Sequence, residues 1–322
     1  MAQTVEMRKK IKNFHTLPRV RNSWSYLYVE HCLVEKRAEA VCLIDKVGRV
    51  QIPASCIALL MLGPGCSVSH HAMLALTESG CLVAWVGEEG VRSYAFGMGK
   101  SRSSRHLQHQ AAMVSDEESR LAVVRRLYEM RFEDKLPPSL TLQQIRGKEG
   151  ARVRDAYAEI AKLTGVAWTG RDYDRGNFAK ATPINRALSV ANACLYGVCH
   201  AAIVAAGYSP GLGFIHTGKM LSFVYDVGDL YKTDFTLPAA FLAASEPGAS
   251  GKTLEARVRH ACRNAFRVTN FLARIVPDIQ YALGEKSIEK VTRYDDPDDP
   301  PGDLWDPAGN VAGGVSFEQE TE

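Results

Sequence analysis

The chain has 322 residues, 46% apolar and 23% charged, a composition that excludes wholesale disorder and a length that allows two domains or one large one. Its net charge of +3 is unevenly spread: residues 291–322 hold nine acids against one base, which leaves 38 bases and 27 acids, a net +11, for the remainder. A basic body with an acidic end suits a polyanion partner, with solubility as the simplest role for the acidic end.

Residues 1–22 read as a basic N-terminal arm without the apolar core of a secretion signal, which points to a cytoplasmic protein. From 23 to 98 short β-branched or aromatic runs, among them "AVCLID", "GRVQIP" and "CLVAWVG", alternate with glycine-containing turns, the pattern of a small β domain. Within it "SHHAMLALTESG" predicts one short helix, with Ser69 as N-cap and Gly80 just past the end. The polar stretch 99–114 is expected to be a linker.

Residues 115–285 predict an all-α domain. Ser115 and Glu118 suggest a capping box ahead of Leu121, Val124, Leu127 and Met130 at helical spacing. A second helix is expected from about Gly150 to Leu163, stopping at Gly165. A third is framed by Thr182 as N-cap, Pro183 at the first position and Gly207 beyond the end; it is apolar nearly all round and so belongs at the centre of the domain. Asn192 and His200 interrupt it, which argues against a membrane span. Met220, Val224, Val227 and Tyr231 predict an amphipathic helix over Lys219–Tyr231, and a last helix is expected from about Lys252 to Ile275, ending before Pro277. Residues 286–322, rich in Pro, Gly and Asp, form an acidic tail, with Leu304 and Trp305 as the anchors of any docking role. None of the eight cysteines forms a C-x-x-C pair, so they read as reduced core residues.

Two glycine-rich signals fail as nucleotide sites. "EPGASGKT" places Glu246 where a phosphate loop needs its first glycine and follows a segment, "LPAAFLAAS", that is a better helix than strand. "GLGFIHTG" places His216 where a dinucleotide fingerprint needs its third glycine. A different set of residues survives. Asp226 and Asp229 are i,i+3 neighbours on the predicted helix, so their carboxylates share one small volume; His216 lies just upstream, and Glu149 falls at the predicted start of another helix. Carboxylates with one imidazole suit Mg2+ or Mn2+. The same spacing equally suits a solvated surface with a structural histidine, and an acid at a helix start complements the helix dipole, so these residues alone leave both readings open.

Five segments decide between them. "GYSPGLGFIHTGKMLSFVYDVGDLYK", "RGKEGARVRDAYAEIAKLTG", "GRDYDRGNF", "ALSVANACLYGV" and "VGEEGVRSYAFG" together resemble, in the same order over about residues 15–285, the type I-E form of the CRISPR spacer-acquisition integrase, the universal adaptation nuclease. The resemblance implies an α+β, multidomain protein, with a small N-terminal β-sandwich domain followed by a larger all-α catalytic domain. It implies a homodimer, assembled with a small ferredoxin-like companion into a heterohexamer. The metal ligands it implies are Glu149, His216 and Asp226, with Asp229 as a further catalytic acid. The implied chemistry is transesterification: the 3′-hydroxyl of a captured duplex with splayed or 3′-overhang ends attacks CRISPR leader-repeat DNA, without ATP. A branched-DNA repair nuclease and a non-catalytic DNA-binding scaffold are the rival readings. Arg92 matches a family DNA contact. Lys219, Lys232 and the i, i+4, i+8 series Arg259, Arg263 and Arg267 are further candidates for holding phosphates, and Tyr173, Tyr196 and Tyr225 for stacking on bases. Gly228, between the two aspartates, and His200 depart from the family pattern.

Overall fold

The computed structural model describes residues 27–38, 40–57, 59–87, 93–97, 104–171, 181–246, 251–269, 271–285 and 307. The N-terminal arm, Arg92, Tyr173, Leu304 and Trp305 lie outside them, as does most of the acidic tail.

Among the described residues, eight strands form two four-stranded sheets. One runs β1 (Leu27–Val29), β5 (Leu59–Leu62), β7 (Leu82–Val86) and β8 (Ser93–Gly97); the other runs β4 (Arg49–Pro53), β3 (Ala40–Ile44), β2 (Leu33–Arg37) and β6 (Ser67–Val68). In the first sheet β1 pairs parallel with β5, and β5 parallel with β7, while β8 closes the edge antiparallel. Leu60, Leu62 and Val83 of that sheet meet Val34, Val41 and Ile52 of the other in one buried cluster. Helix α1 (His70–Glu78) is capped by Ser69 as expected and adds Ala72 and Leu76 to the same cluster. Leu59, Met61, Leu82, Ala84 and Val86 face the opposite way and join the core of the helical region. Strand β5 and most of β7 are therefore buried on both faces. That explains why β5, "LLML", shows no alternation and was not separable from its surroundings by pattern.

The helical region comprises α2 (Arg105–Ser115), α3 (Glu117–Glu129), α4 (Leu142–Thr164), α5 (Pro183–Ala205), α6 (Ser222–Gly228), α7 (Leu237–Ser245), α8 (Leu254–Val268) and α9 (Leu272–Leu283). α5 is the centre, packed by α6, α7, α8 and α9. It is long and apolar enough to cross a membrane, but 78% of its most apolar stretch is buried within the protein. Its apolarity is that of a core helix. All eight cysteines are described and are free thiols.

Several expectations need correction. The supposed linker at 99–114 contains, in its described part, helix α2, a largely polar helix that packs Met113 and Val114 on the core and is held elsewhere by hydrogen bonds. Its fully buried Gln110 donates to the carbonyls of Ser209 (3.0 Å) and Leu212 (2.9 Å) and accepts from Ser209 N (2.7 Å). Ser115 ends that helix, and Asp116 caps the next by accepting from Ser119 N at 2.8 Å. α4 starts at Leu142, because Thr141 and Gln144 form a reciprocal capping box, so Glu149 lies well inside the helix. α6 is only seven residues long; Val224, Val227 and Tyr231 are buried as expected, but Met220 is 80% exposed. The final helical segment is two helices, with Pro277 inside α9, where burial of Ile275, Ile279, Ala282 and Leu283 outweighs the lost backbone bond. "LPAAFLAAS" is helix α7, as its composition suggests.

Candidate active site

The site forms where the loop after α5, the short helix α6 and the middle of α4 meet. The loop reaches it through a tight passage at Gly213. A Cβ on Gly213 would lie 2.3 Å from the His216 carbonyl oxygen and 2.6 Å from Ser222 Cβ, so only glycine fits. Gln110 fixes this loop through the Ser209 and Leu212 carbonyls, and Arg120 donates to the Phe214 carbonyl through Nε (3.2 Å) and Nη2 (3.0 Å).

Asp226 sits beneath the loop with 0% exposure. Its Oδ2 accepts from Phe214 N (2.6 Å) and Ile215 N (3.1 Å), and its Oδ1 accepts from His216 N (2.9 Å). Oδ1 also lies 2.7 Å from His216 Nδ1. A carboxylate only accepts, so Nδ1 carries the proton and Nε2 is the imidazole nitrogen left for other partners. The hydrogen bond to Asp226 raises the His216 pKa above its ordinary value, against the opposing effect of burial. Both Asp226 oxygens are thus engaged by the loop. These contacts hold the loop and fix the orientation of the His216 ring.

Asp229, one helical turn on, faces the other way. Its Oδ2 is 3.8 Å from His216 Nε2 and 3.8 Å from Arg131 Nη1, while Oδ1 pairs with Lys232 Nζ. Glu149 reaches the same place from α4. Its Oε1 is 3.4 Å from Arg131 Nη1, and Arg152 grips the carboxylate through two bonds of 2.8 and 3.0 Å. The hydrogen bond to Glu149 raises the Arg152 pKa, and Arg152 Nη1 extends to Thr233 Oγ1 at 3.2 Å. Burial alone would lower the Lys232 pKa, but Asp229 and Tyr196 together outweigh it and the lysine stays charged. The group the structure brings together is therefore Glu149, His216 and Asp229, with Asp226 behind them.

Tyr225 and Tyr196 wall the site: Tyr225 meets His216 edge-on at 5.8 Å and Tyr196 at 5.1 Å between ring centroids. Gly228 has its reason here. A Cβ on it would come within 2.8 Å of the Tyr196 ring, so glycine leaves room for the aromatic wall. Lys232 Nζ lies 5.1 Å from the centre of the same ring. His200 is buried in α5, and burial drops its pKa to about 4, which keeps it neutral.

The candidate phosphate contacts separate. Lys219, Arg263 and Arg267 are exposed, whereas the Arg259 guanidinium stacks over Tyr28 of β1 at 4.5 Å and ties α8 to the first sheet. Sequence reasoning passed over Arg131, Arg152 and Thr233. The i,i+3 spacing of Glu149 and Arg152 is a signal that was available; Arg131 and Thr233 arrive from other elements and leave none.

Donor chemistry fits a hard divalent cation in kind: two carboxylates and one imidazole nitrogen converge here. Among the described residues no three His, Cys, Asp or Glu side chains are spaced to clasp a metal as they stand, since arginine and lysine nitrogens lie among the carboxylates.

A family model described as CRISPR associated protein Cas1 matches residues 25–136 and 130–236. CRISPR-associated endonuclease Cas1 2 of Thermus thermophilus is 47% identical over 310 residues, which cover 95% of this chain and 94% of that protein. CRISPR-associated endonuclease Cas1 of Escherichia coli K12 is 44% identical over 267 residues, 82% of this chain and 86% of that one. Among solved structures, the crystal structure of a TtCas1–DNA complex matches with a TM-score of 0.78 and 47% identity, over 90% of this chain and 100% of that one. With the two sheets, the helical core and the Glu149, His216 and Asp229 cluster in place, these matches show that the chain belongs to the Cas1 family of CRISPR-associated endonucleases.

Proposed function

We propose that this Cas1-family chain is a metal-dependent DNA integrase and endonuclease, joining captured DNA to CRISPR leader-repeat DNA at the cleft formed by Glu149, His216 and Asp229. One observation carries the reading: three separate segments deliver two carboxylates and an oriented imidazole to one point, and His216 Nε2 is turned toward Asp229 by the bond from Nδ1 to Asp226. Glu149, Asp229 and His216 Nε2 would hold Mg2+ or Mn2+, which supplies Lewis-acid stabilisation of the charge developing on a phosphodiester.

The chain's own residues do the rest. Asp226 fixes the imidazole, while Arg152 and Lys232 keep the carboxylates in place. Exposed Lys219, Arg263 and Arg267 offer positive charge to DNA phosphates, and the Tyr225 and Tyr196 wall closes one side of the cleft. The reaction is an exchange: the 3′-hydroxyl oxygen forms a bond to phosphorus as the strand's own 3′-oxygen leaves, so no nucleotide energy source is needed. Water in place of the hydroxyl gives strand cleavage. Family membership supports the same partners for this chain: a splayed or 3′-overhang duplex, a second copy of the chain, and the ferredoxin-like companion in a heterohexamer.

The test incubates the protein and its companion with Mn2+ or Mg2+, a short duplex with 3′-hydroxyl ends and a supercoiled plasmid carrying a leader and repeat. Covalent joining that disappears in His216→Ala and Asp229→Asn is the expected result. Cleavage without joining overturns the integrase reading in favour of a repair nuclease, and DNA binding with neither overturns both in favour of a scaffold.

A further inference from the structure

The unusual group in the cleft is Arg131. It lies just past the end of α3, and only 4% of its side chain is exposed. Its Nη1 is 3.4 Å from Glu149 Oε1 and 3.8 Å from Asp229 Oδ2, so a single nitrogen touches both carboxylates that the proposed function assigns to a metal. Arg152 reaches Glu149, and Lys232 reaches Asp229, each from outside the pair.

The bonds that Arg131 makes are poor for a buried guanidinium. Charge-assisted pairs settle at about 2.7–2.9 Å, as Arg152 does at 2.8 Å. Arg131 stays longer on both sides, and its Nε and Nη2 are buried with no hydrogen-bond partner. Tyr128, whose ring lies 4.9 Å from the guanidinium carbon, supports the cation from the flank without supplying an acceptor. A side chain selected for structural pairing would use its fork on one carboxylate. Arg131 instead spreads one charge between two.

Glu149, Asp226 and Asp229 carry three negative charges, and Arg131, Arg152 and Lys232 supply three positive ones. A divalent ion entering between Glu149 and Asp229 therefore meets the fixed positive charge of Arg131, whose side chain is too buried to be screened by water.

We propose that Arg131 is a positioning residue, the chain's own counter-cation for the Glu149 and Asp229 pair. It competes with a divalent ion for Glu149 Oε1 and Asp229 Oδ2, keeping the site assembled while holding metal affinity down. The inference rests on the metal reading above. The Glu149 and Asp229 carboxylates repel unless positive charge lies between them, and Arg131 supplies that charge from its own side chain.

The test is Mn2+ titration by calorimetry, with thermal unfolding followed in the presence and absence of Mn2+, on the full chain and on Arg131→Met. The substitution keeps an unbranched apolar stem and removes the guanidinium with its charge. The expected result is a metal-free melting temperature lower by about 2–4 °C, with Mn2+ bound at least about tenfold more tightly than by the wild type. Arg131→Lys, which keeps the charge, should bind Mn2+ as the wild type does. Unchanged or weaker Mn2+ binding by Arg131→Met overturns the proposal; if that variant does not fold, Arg131→Gln takes its place under the same criterion. Glu149→Gln separates the two readings. If neither the wild type nor Arg131→Met binds Mn2+, or if Glu149→Gln binds it as well as the wild type does, the metal reading falls and this inference with it, whereas Glu149-dependent binding indifferent to Arg131 removes this inference alone.

Discussion

Asp226 and Asp229 are one helical turn apart and are solvated in opposite ways. Asp226 is fully buried and is satisfied by three backbone amides and an imidazole that belong to one loop. Asp229 keeps 19% of its side chain exposed and is surrounded by side-chain nitrogens from three elements. Backbone amides are fixed by the path of the chain and cannot exchange partners without unfolding the loop. Side-chain cations can move. The first environment makes a structural anchor and the second an exchangeable site, so the acid most deeply embedded in the cluster is the one least suited to binding anything else.

The largest test of that difference is Asp226→Ala. It strands the amides of residues 214, 215 and 216 and frees the His216 ring, and it should cost about 3–5 kcal/mol in chemical denaturation. A cost no greater than that of removing Asp229 would break the distinction. Next is Gly228→Ala, between the two acids. A Cβ there comes within 2.8 Å of Tyr196, and the overpacking should outweigh a gain of about 1 kcal/mol in helix propensity, for a net loss of about 1–2 kcal/mol. A stabilised variant would show that the Tyr196 wall yields.

Asp229→Asn should change stability by only about 1 kcal/mol, since its partners include the one-third-exposed Lys232, yet abolish DNA joining in the plasmid assay. Parallel loss of folding and activity would place Asp229 with Asp226. The smallest effect is on pH dependence. The folded-state pKa of His216 is raised, so the Asp226 bond contributes stability that is fully present below the unfolded value and is lost as pH rises through the folded one. Because His216 is 41% exposed, the difference between wild type and His216→Gln, compared at acidic and mildly alkaline pH, should stay below about 1 kcal/mol.

Much of this organisation was legible beforehand. Strand runs such as "AVCLID", the Ser69 cap of α1, the Thr182 and Pro183 start of α5 and the stop of α4 at Gly165 follow from local signals that act over a few residues, and each appears where the pattern put it. Glu149, His216, Asp226 and Asp229 were likewise singled out together. Local signals failed where long-range contacts set the outcome. Helix α2 is polar because its partners are the carbonyls of a loop about a hundred positions away, and α9 continues through Pro277 because its apolar face is covered.

What the sequence determined by itself was the set of chemical groups: the family, the order of strands before helices, and a histidine with three acids capable of metal chemistry. It did so because residue types and their spacing are local properties of the chain. Only the tertiary structure decided which acid does what. Asp226 and Asp229 are equivalent on a helical wheel until a loop lays its amides over one of them, and Arg131 joins Glu149 to Asp229 across elements that share no local pattern. The difference is one of surroundings, and surroundings exist only once the chain has folded.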